Sequence, residues 1–500
     1  MNYISILNNQ TISISEIPQN SYDSFLELNT GLVIGHPERH CVNYFGYPIN
    51  NKISLICCIA DDLEHQIYVS SCQVQAPCKL DSFTTKNFSF EKFEREIHEN
   101  FEIHYNDHPW LKPVRYPFNR SKKKSSTIAN YPFFSIDSEE LHKVGVGPIH
   151  AGIIEPGHFR FLCNGEQILH LEIQLGYQHR GLEQLFLDKK KMLQRATLSE
   201  NIAGDTVAGH TTAFSHLWES LCDFQASPDI ELARTLALEL ERIAIHTGDL
   251  SAACTDIAYQ LGSSVFGRLR TPMVNYFQEW CGNRLAKGLI RPGRNQFPIT
   301  EALSNRLKDV LKKFEPDFVE MNAELFKLPS ALSRFERTGI VTYDDVLSIG
   351  TVGMSARMSG LNRDIRQSHP FSLYKMAKHE PVIKHHGDVF SRLQIRKKEV
   401  LQSILYIRSM LNNPMENPVK DTSLNNPKAD SFAISLVEGW RGEICHCAIT
   451  DSKGELIAYK IKDPSFHNWL ALALSVRNNE ISDFPICNKS FNLSYCGHDL

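Results

Sequence analysis

Ser227-Pro228-Asp229-Ile230-Glu231-Leu232-Ala233-Arg234-Thr235-Leu236 is the run that decides how the larger part of this chain folds. Serine suits the cap of a helix, and proline suits its first position, where the missing N–H would have no partner anyway. Asp229 and Glu231 then place negative charge in the positive first turn. Leu232, Leu236, Leu240 and Ile243 continue as one apolar stripe at helical spacing. The pattern predicts a helix that stops near Gly248, with Arg234, Glu241 and Arg242 facing out.

Helical character extends on both sides, from Leu182 to about Asn412. Strand-like segments precede it as far as Leu175. Loop chemistry dominates Asn412-Asn413-Pro414-Met415-Glu416-Asn417-Pro418 and continues to Pro427. Strands follow at Phe432 to Val437, Glu443 to Thr450 and Leu456 to Ile461, with Asp451-Ser452-Lys453-Gly454 as a hairpin turn. Towards the N-terminus, residues 1–115 read as an α/β unit. Ile53 to Ile59 and Gln66 to Ser70 are β-prone, and Phe88 to Phe101 is helix-like. Residues 116–140 read as a linker carrying Arg120-Ser121-Lys122-Lys123-Lys124-Ser125-Ser126. That run is a solvated connector or a strap for an acidic partner or phospholipid surface. The expected class is α+β: an α/β domain over 1–115, the linker, and a mainly helical domain with flanking β-structure over 141–500.

Composition narrows the function. The 500 residues are 42% apolar and 22% charged with a formal net charge of −4, which argues against a nucleic-acid-binding protein. No apolar run approaches the roughly 18–20 residues that span a bilayer. Met1 to Gln10 lacks the basic and apolar regions of a secretory signal, so a cytoplasmic chain is expected. The 13 cysteines include no C-x-x-C pair. Cys57-Cys58 and Cys445-His446-Cys447 come nearest, and buried thiols acting as small hydrophobes are the simpler reading. No G-x-G-x-x-G follows a strand, so no nicotinamide or flavin fingerprint is present.

Five stretches, in order, carry a family resemblance. They are Phe93-Glu94-Arg95-Glu96-Ile97-His98 with Asp107-His108-Pro109-Trp110; Gly147-Pro148-Ile149-His150 with Glu155-Pro156-Gly157-His158-Phe159-Arg160; Gly176-Tyr177-Gln178-His179-Arg180-Gly181-Leu182-Glu183; Arg357-Met358-Ser359-Gly360-Leu361-Asn362-Arg363-Asp364-Ile365-Arg366; and Arg441-Gly442-Glu443 with Asp463-Pro464-Ser465-Phe466. Together they resemble the fused large subunit of group 4 membrane-bound nickel-iron hydrogenases and the C and D subunits of complex I. The resemblance implies a C-subunit domain joined to a hydrogenase large-subunit domain. It implies a chain peripheral on the inner face of the cell membrane, working with an iron-sulfur small subunit and antiporter-like membrane subunits. NADH, if it is the donor, would be oxidised by another subunit.

Active nickel-iron members hold their metals with two C-x-x-C pairs, whose soft thiolates supply compensating negative charge. By register with the family, Ala203 and Thr206 stand where the first pair belongs, and Ser494 and Gly497 where the second belongs; Cys496 is one place out of register. No metal and no cofactor bound by this chain are therefore expected, and hydrogen activation at a nickel-iron site is not.

In complex I the corresponding cavity receives a quinone beside a histidine–aspartate pair. The matching positions are His158 and Asp256, where imidazole beside carboxylate could supply a proton to a reduced quinone. A structural hydrogen bond is the plain alternative. The family's quinone-contacting tyrosine maps to Gly204, while Asp205 and His210 are further acid/base candidates or polar filling of the vacated site. Arg357, Arg363 and Arg366 around Asp364, and Arg441 with Glu443, read as salt-bridged scaffolding and contact with other subunits, or as a proton path. Two functions follow: electron transfer from a partner's cluster to an acceptor such as quinone, or a non-catalytic platform docking a cluster protein onto a membrane ion-translocating module.

Overall fold

The computed structural model describes residues 2–115, 128–152, 154–412 and 424–500. The basic run Arg120 to Ser126 and most of the proline-containing tract after Asn412 lie outside the described residues.

The N-terminal unit is built on a five-stranded sheet. Ile4–Ile6, Gln66–Val74, Lys52–Asp61 and Arg39–Ile49 lie in that order, and Gln19–Asn20 also pairs with Gln66–Val74. Helices Tyr22–Val33 and Glu91–Phe101 cover one face, around an aromatic core of Phe25, Tyr44, Phe83, Phe90 and Phe93. The other face packs Val42, Phe45, Ile56 and Cys58 into the main core of the molecule. With both faces covered, a strand needs apolar residues on both sides. This explains why Ile53 to Ile59 reads as a nearly unbroken apolar run rather than an alternation.

A second sheet joins the two ends of the sequence. Leu456–Lys462, Glu443–Thr450, Ser431–Glu438 and Thr11–Ser13 form an antiparallel order, with Thr11 to Ser13 registered against Ala433 to Ser431. Asn43 on the first sheet reaches the Cys445 and Cys447 thiols of the second, each at 3.6 Å. A three-stranded sheet, His142–Val146, His158–Asn164 and Gln167–Gln174, flanks the helical body. The α+β class is as expected, and no described helix is long and apolar enough to cross a membrane.

The helix Pro228–Asp256 runs through the helical body, with Ser227 as its cap residue. Leu236, Leu240 and Ile243 are completely buried, worth roughly 1.5–3 kcal/mol each. Two expectations fail here. Arg234, Glu241 and Arg242 do not face out; they are buried because this helix is packed all round. Arg234 is gripped by both carboxylate oxygens of Glu219, Arg242 donates to the Glu438 and Gly439 carbonyls, and Glu241 accepts backbone N–H groups of a neighbouring helix. Gly248 does not end the helix, and its bare Cα accommodates the Arg270 side chain, which would lie 3.0 Å from an added Cβ.

Candidate functional site

Three distant segments converge where the family resemblance places its metal. Helix Met192–Ser199 ends just before the turn at residues 200–206, which leads into helix Val207–Leu221. Arg180 Nη2 donates to the carbonyls of Ile202 and Cys496, both at 2.9 Å, fastening that turn to the C-terminal helix Tyr495–Asp499. Glu155 accepts the Cys496 N–H at 3.2 Å. Gly157 packs so closely on Tyr495 that a Cβ there would meet the ring at 2.6 Å. Residues 155–158, 203–206 and 494–497 are thus neighbours.

Arg441 fills this junction. Nη1 and Nη2 donate to Asp205 Oδ1 and Oδ2, each at 2.6 Å, Nη1 also reaches Thr206 Oγ1 at 2.9 Å, and Nε donates to the Asn492 carbonyl at 2.6 Å. The guanidinium lies over the Trp440 ring at 3.9 Å, and Trp440 Nε1 donates to the Asp205 carbonyl at 2.8 Å. The planar fork matches a carboxylate in two-point contact.

The donor set does not fit a four-thiolate metal centre. Ala203 is buried and has no donor atom. Thr206 Oγ1 is engaged by Arg441 and Asp205. Ser494 Oγ accepts the Gly497 N–H at 2.9 Å, capping the last helix. A side chain at Gly497 would begin 2.7 Å from Asp463 Oδ2, so a cysteine does not fit without displacing that carboxylate. Cys496 has its thiol pushed up to about 11, mainly by burial, which holds it protonated.

His210 lies in the core behind the junction and shares the Asp463 carboxylate that abuts Gly497. Its Nε2 donates to Asp463 Oδ2 at 3.0 Å, and its Nδ1 accepts from His446 Nε2 at 3.1 Å. His446 Nδ1 in turn accepts from the Tyr459 hydroxyl at 2.8 Å. One proton orientation satisfies the whole chain, with every donor pointing towards Asp463. His446 is held well below the usual histidine range, by burial and then by His210, so the neutral ring this orientation requires is favoured. The Asp463 carboxyl is lowered although burial, the largest influence, opposes it; the His210 hydrogen bond, the Arg441 charge and the Ser465 N–H together outweigh that penalty.

His158 and Asp256 are not in contact. His158 Nδ1 donates to the Gly147 carbonyl at 3.1 Å and its ring meets Phe133 edge-on. Asp256 lies at the end of its helix with an exposed side chain that makes no hydrogen bond among the described residues; the charge acting on it is Lys489. The cavity at Gly204 and Asp205, lined by Glu241, Arg270 and Phe277, holds about 20 Å³. Small-molecule pockets are typically about 300–1,000 Å³. Glu241 sits at the start of helix Val207–Leu221, accepting from Ala208 N at 2.7 Å and Gly209 N at 3.3 Å. Burial raises its carboxyl to about 8 despite those bonds.

The other charged sets are internally paired. Arg357 donates to Glu399 at 2.7 Å, and Arg366 to Asp364 at 2.7 Å and Glu399 at 2.9 Å. Arg363 instead crosses to the N-terminal unit, reaching the Pro37 and Arg39 carbonyls. Glu443 pairs with Lys462 and His40, each at 2.6 Å, and Arg441 with Asp205. Sequence reasoning missed the roles of Arg180, Glu241, Asp463 and His446. Arg180 and Asp463 stood inside quoted motifs, whereas His446 had only two flanking cysteines to mark it.

Residues 262–432 match the family model for the respiratory-chain NADH dehydrogenase 49 kDa subunit. The chain is 26% identical over 365 residues to hydrogenase-4 component G and 27% identical over 366 residues to formate hydrogenlyase subunit 5, both of Escherichia coli. Each alignment covers 73% of this chain, but only 63% and 64% of those relatives. The fused C/D subunit of NADH-quinone oxidoreductase from Phocaeicola vulgatus is 26% identical over 357 residues, 70% of this chain and 67% of that protein. Over these stretches the chain is similar to the NADH dehydrogenase 49 kDa subunit, to the NADH-quinone oxidoreductase C/D fusion and to hydrogenase-4-type subunits.

Proposed function

We propose that this chain is the large subunit of a membrane-associated oxidoreductase complex of the complex I and hydrogenase-4 kind, without a nickel-iron centre of its own. The observation that carries the reading is the occupation of the junction between residues 203–206 and 494–497. There the Asp205–Arg441 pair stands among Ala203, Thr206, Ser494 and Gly497. Electrons in this reading belong to an iron-sulfur cluster on a partner small subunit and pass to an acceptor such as quinone. Any NADH is oxidised elsewhere in the assembly, and antiporter-like subunits hold the complex on the inner face of the membrane. Purification of the intact complex, with identification of its subunits and quinone-reduction assays on wild type and His158→Ala, tests it. Loss of reduction with the complex intact supports a redox role for the His158 neighbourhood. Unchanged turnover removes that residue from the chemistry.

A non-catalytic platform is the second reading, favoured by two observations: His158 and Asp256 are not paired, and the cavity beside Gly204 is small. An intact assembly whose electron transfer survives every substitution at the junction would select it.

A further inference from the structure

A second cavity, next to that junction, lies between helix Glu91–Phe101, helix Ser465–Ser475 and the last helix, Tyr495–Asp499. It holds about 50 Å³ and is lined by Lys92, Arg95, Trp110, Tyr131, Trp469 and His498, among others. At about 10–15 Å³ per water-sized sphere, that is room for about three to five heavy atoms. We propose that this cavity binds a small planar oxyanion of the bicarbonate or nitrate class, held by Lys92 with Trp110 and His498 beside it.

The argument is a surplus of donors. Lys92 is 8% exposed, and its ammonium makes one hydrogen bond, to His498 Nε2 at 3.3 Å. That bond uses the lone pair of a neutral ring, since His498 Nδ1 faces Asp499 at 2.8 Å. Two of the ammonium N–H bonds have no hydrogen-bond acceptor among the described residues, and the Phe466 ring lies 5.6 Å from the nitrogen. Trp110 Nε1 is buried, and its one polar neighbour is the Tyr131 hydroxyl, a poorly directed contact from a group that also faces Glu172. Two carboxylates, Glu91 and Glu172, also line the cavity, and each is already paired with a cation. Glu91 is bound to Arg95, and Glu172 takes Lys112 at 2.5 Å and the Phe134 N–H at 2.7 Å. Asp499 takes the Gly176 and Gln178 N–H groups at 2.9 and 2.8 Å. A water molecule would add two more donors to a place short of acceptors, whereas an oxyanion is chiefly a set of acceptors.

The electrostatic setting agrees. Arg95 and Arg115 flank Lys92 and disfavour a third cation there, while Glu91 and Asp499 favour one; His467, also nearby, is held neutral by burial. Burial is the largest influence and brings Lys92 down to about 7. An anion seated against the amine favours its protonated form, so binding above pH 7 takes up a proton.

The test is isothermal titration of the full chain with sodium nitrate, and separately with sodium bicarbonate. It is run at pH 7 and 8 in two buffers of different ionisation heat. One saturable site is expected, with proton uptake larger at pH 8. Lys92→Met should weaken binding at least tenfold. Trp110→Phe, which keeps an aromatic ring and removes the N–H, should weaken it several-fold with an unchanged melting temperature. Absence of saturable binding at tens of millimolar, or binding that survives both substitutions, overturns the proposal.

Discussion

The guanidinium of Arg441 meets both carboxylate oxygens of Asp205 at 2.6 Å while its Nε holds the Asn492 carbonyl. One side chain thus ties the turn before helix Val207–Leu221 to the C-terminal segment. Arg441 is buried, but Asp205 is 36% exposed, so solvent weakens the ion pair itself. Arg441→Ala is expected to cost about 2–3 kcal/mol, chiefly from carbonyl and hydroxyl partners left unpaired. Asp205→Asn should cost less, about 1 kcal/mol. Urea denaturation of both variants checks the order; equal costs would assign the stabilisation to the ion pair alone.

Glu241 gives a pH prediction. Its carboxyl is raised to about 8 in the folded chain, against roughly 4.3 when unfolded. Between those values the folded state holds a proton that the unfolded state has released. The folded state is then progressively disfavoured as pH rises, and the effect is complete above the folded value. Glu241→Gln removes this loss. The variant should gain stability relative to wild type from pH 5 to pH 8, read by urea midpoints. A gap moving the other way would mean that Glu241 is ionised and gripping the Ala208 N–H as an anion.

The chain Asp463–His210–His446–Tyr459 is completely buried or nearly so, and each member satisfies its neighbour. Tyr459→Phe deletes the terminal donor and leaves His446 Nδ1 without a partner, costing about 1–3 kcal/mol. Nitrogen NMR of the histidines should show His446 protonated at Nε2 in the wild type. A proton on Nδ1 would reverse the direction of the chain.

Two glycines beside Arg441 set the backbone geometry. Gly353 has φ +63° and Gly442 φ +137°, and a Cβ on Gly353 would lie 2.2 Å from the Gly442 Cα. Gly353→Ala is expected to lose more than about 3 kcal/mol, enough to remove soluble protein. Gly204, which maps to the family's tyrosine, has nothing within 4 Å of an added Cβ. Gly204→Ala should change stability by less than about 0.5 kcal/mol. Expression yield and thermal melts compare the two.

Much of the architecture was legible because its signals are local. The helix start at Pro228, the apolar stripe through Ile243 and the strands around Asp451 to Gly454 depend on neighbours in sequence, and the structure reproduces them, although the Ser227 hydroxyl turns to Asp229 instead of capping a backbone N–H. What stayed hidden depends on distant partners. Arg234, Glu241 and Arg242 look like an outer face until Glu219, Ala208 and Glu438 arrive to satisfy them. Gly248 reads as a stop, yet Arg270 packs on it. Thr11–Ser13 is too short for a periodic signal, and its partner strand lies at the other end of the chain. The convergence of residues 203–206 with 494–497 followed from the family register. The arginines that fasten it, Arg180 and Arg441, show their roles only once the chain is folded.

The central proposal is that this chain grips no nickel. Element analysis of the purified native complex, with this chain quantified, tests it most directly. The account expects iron from partner clusters and nickel far below one atom per copy of this chain. One nickel per copy, retained after chelator treatment, would contradict it.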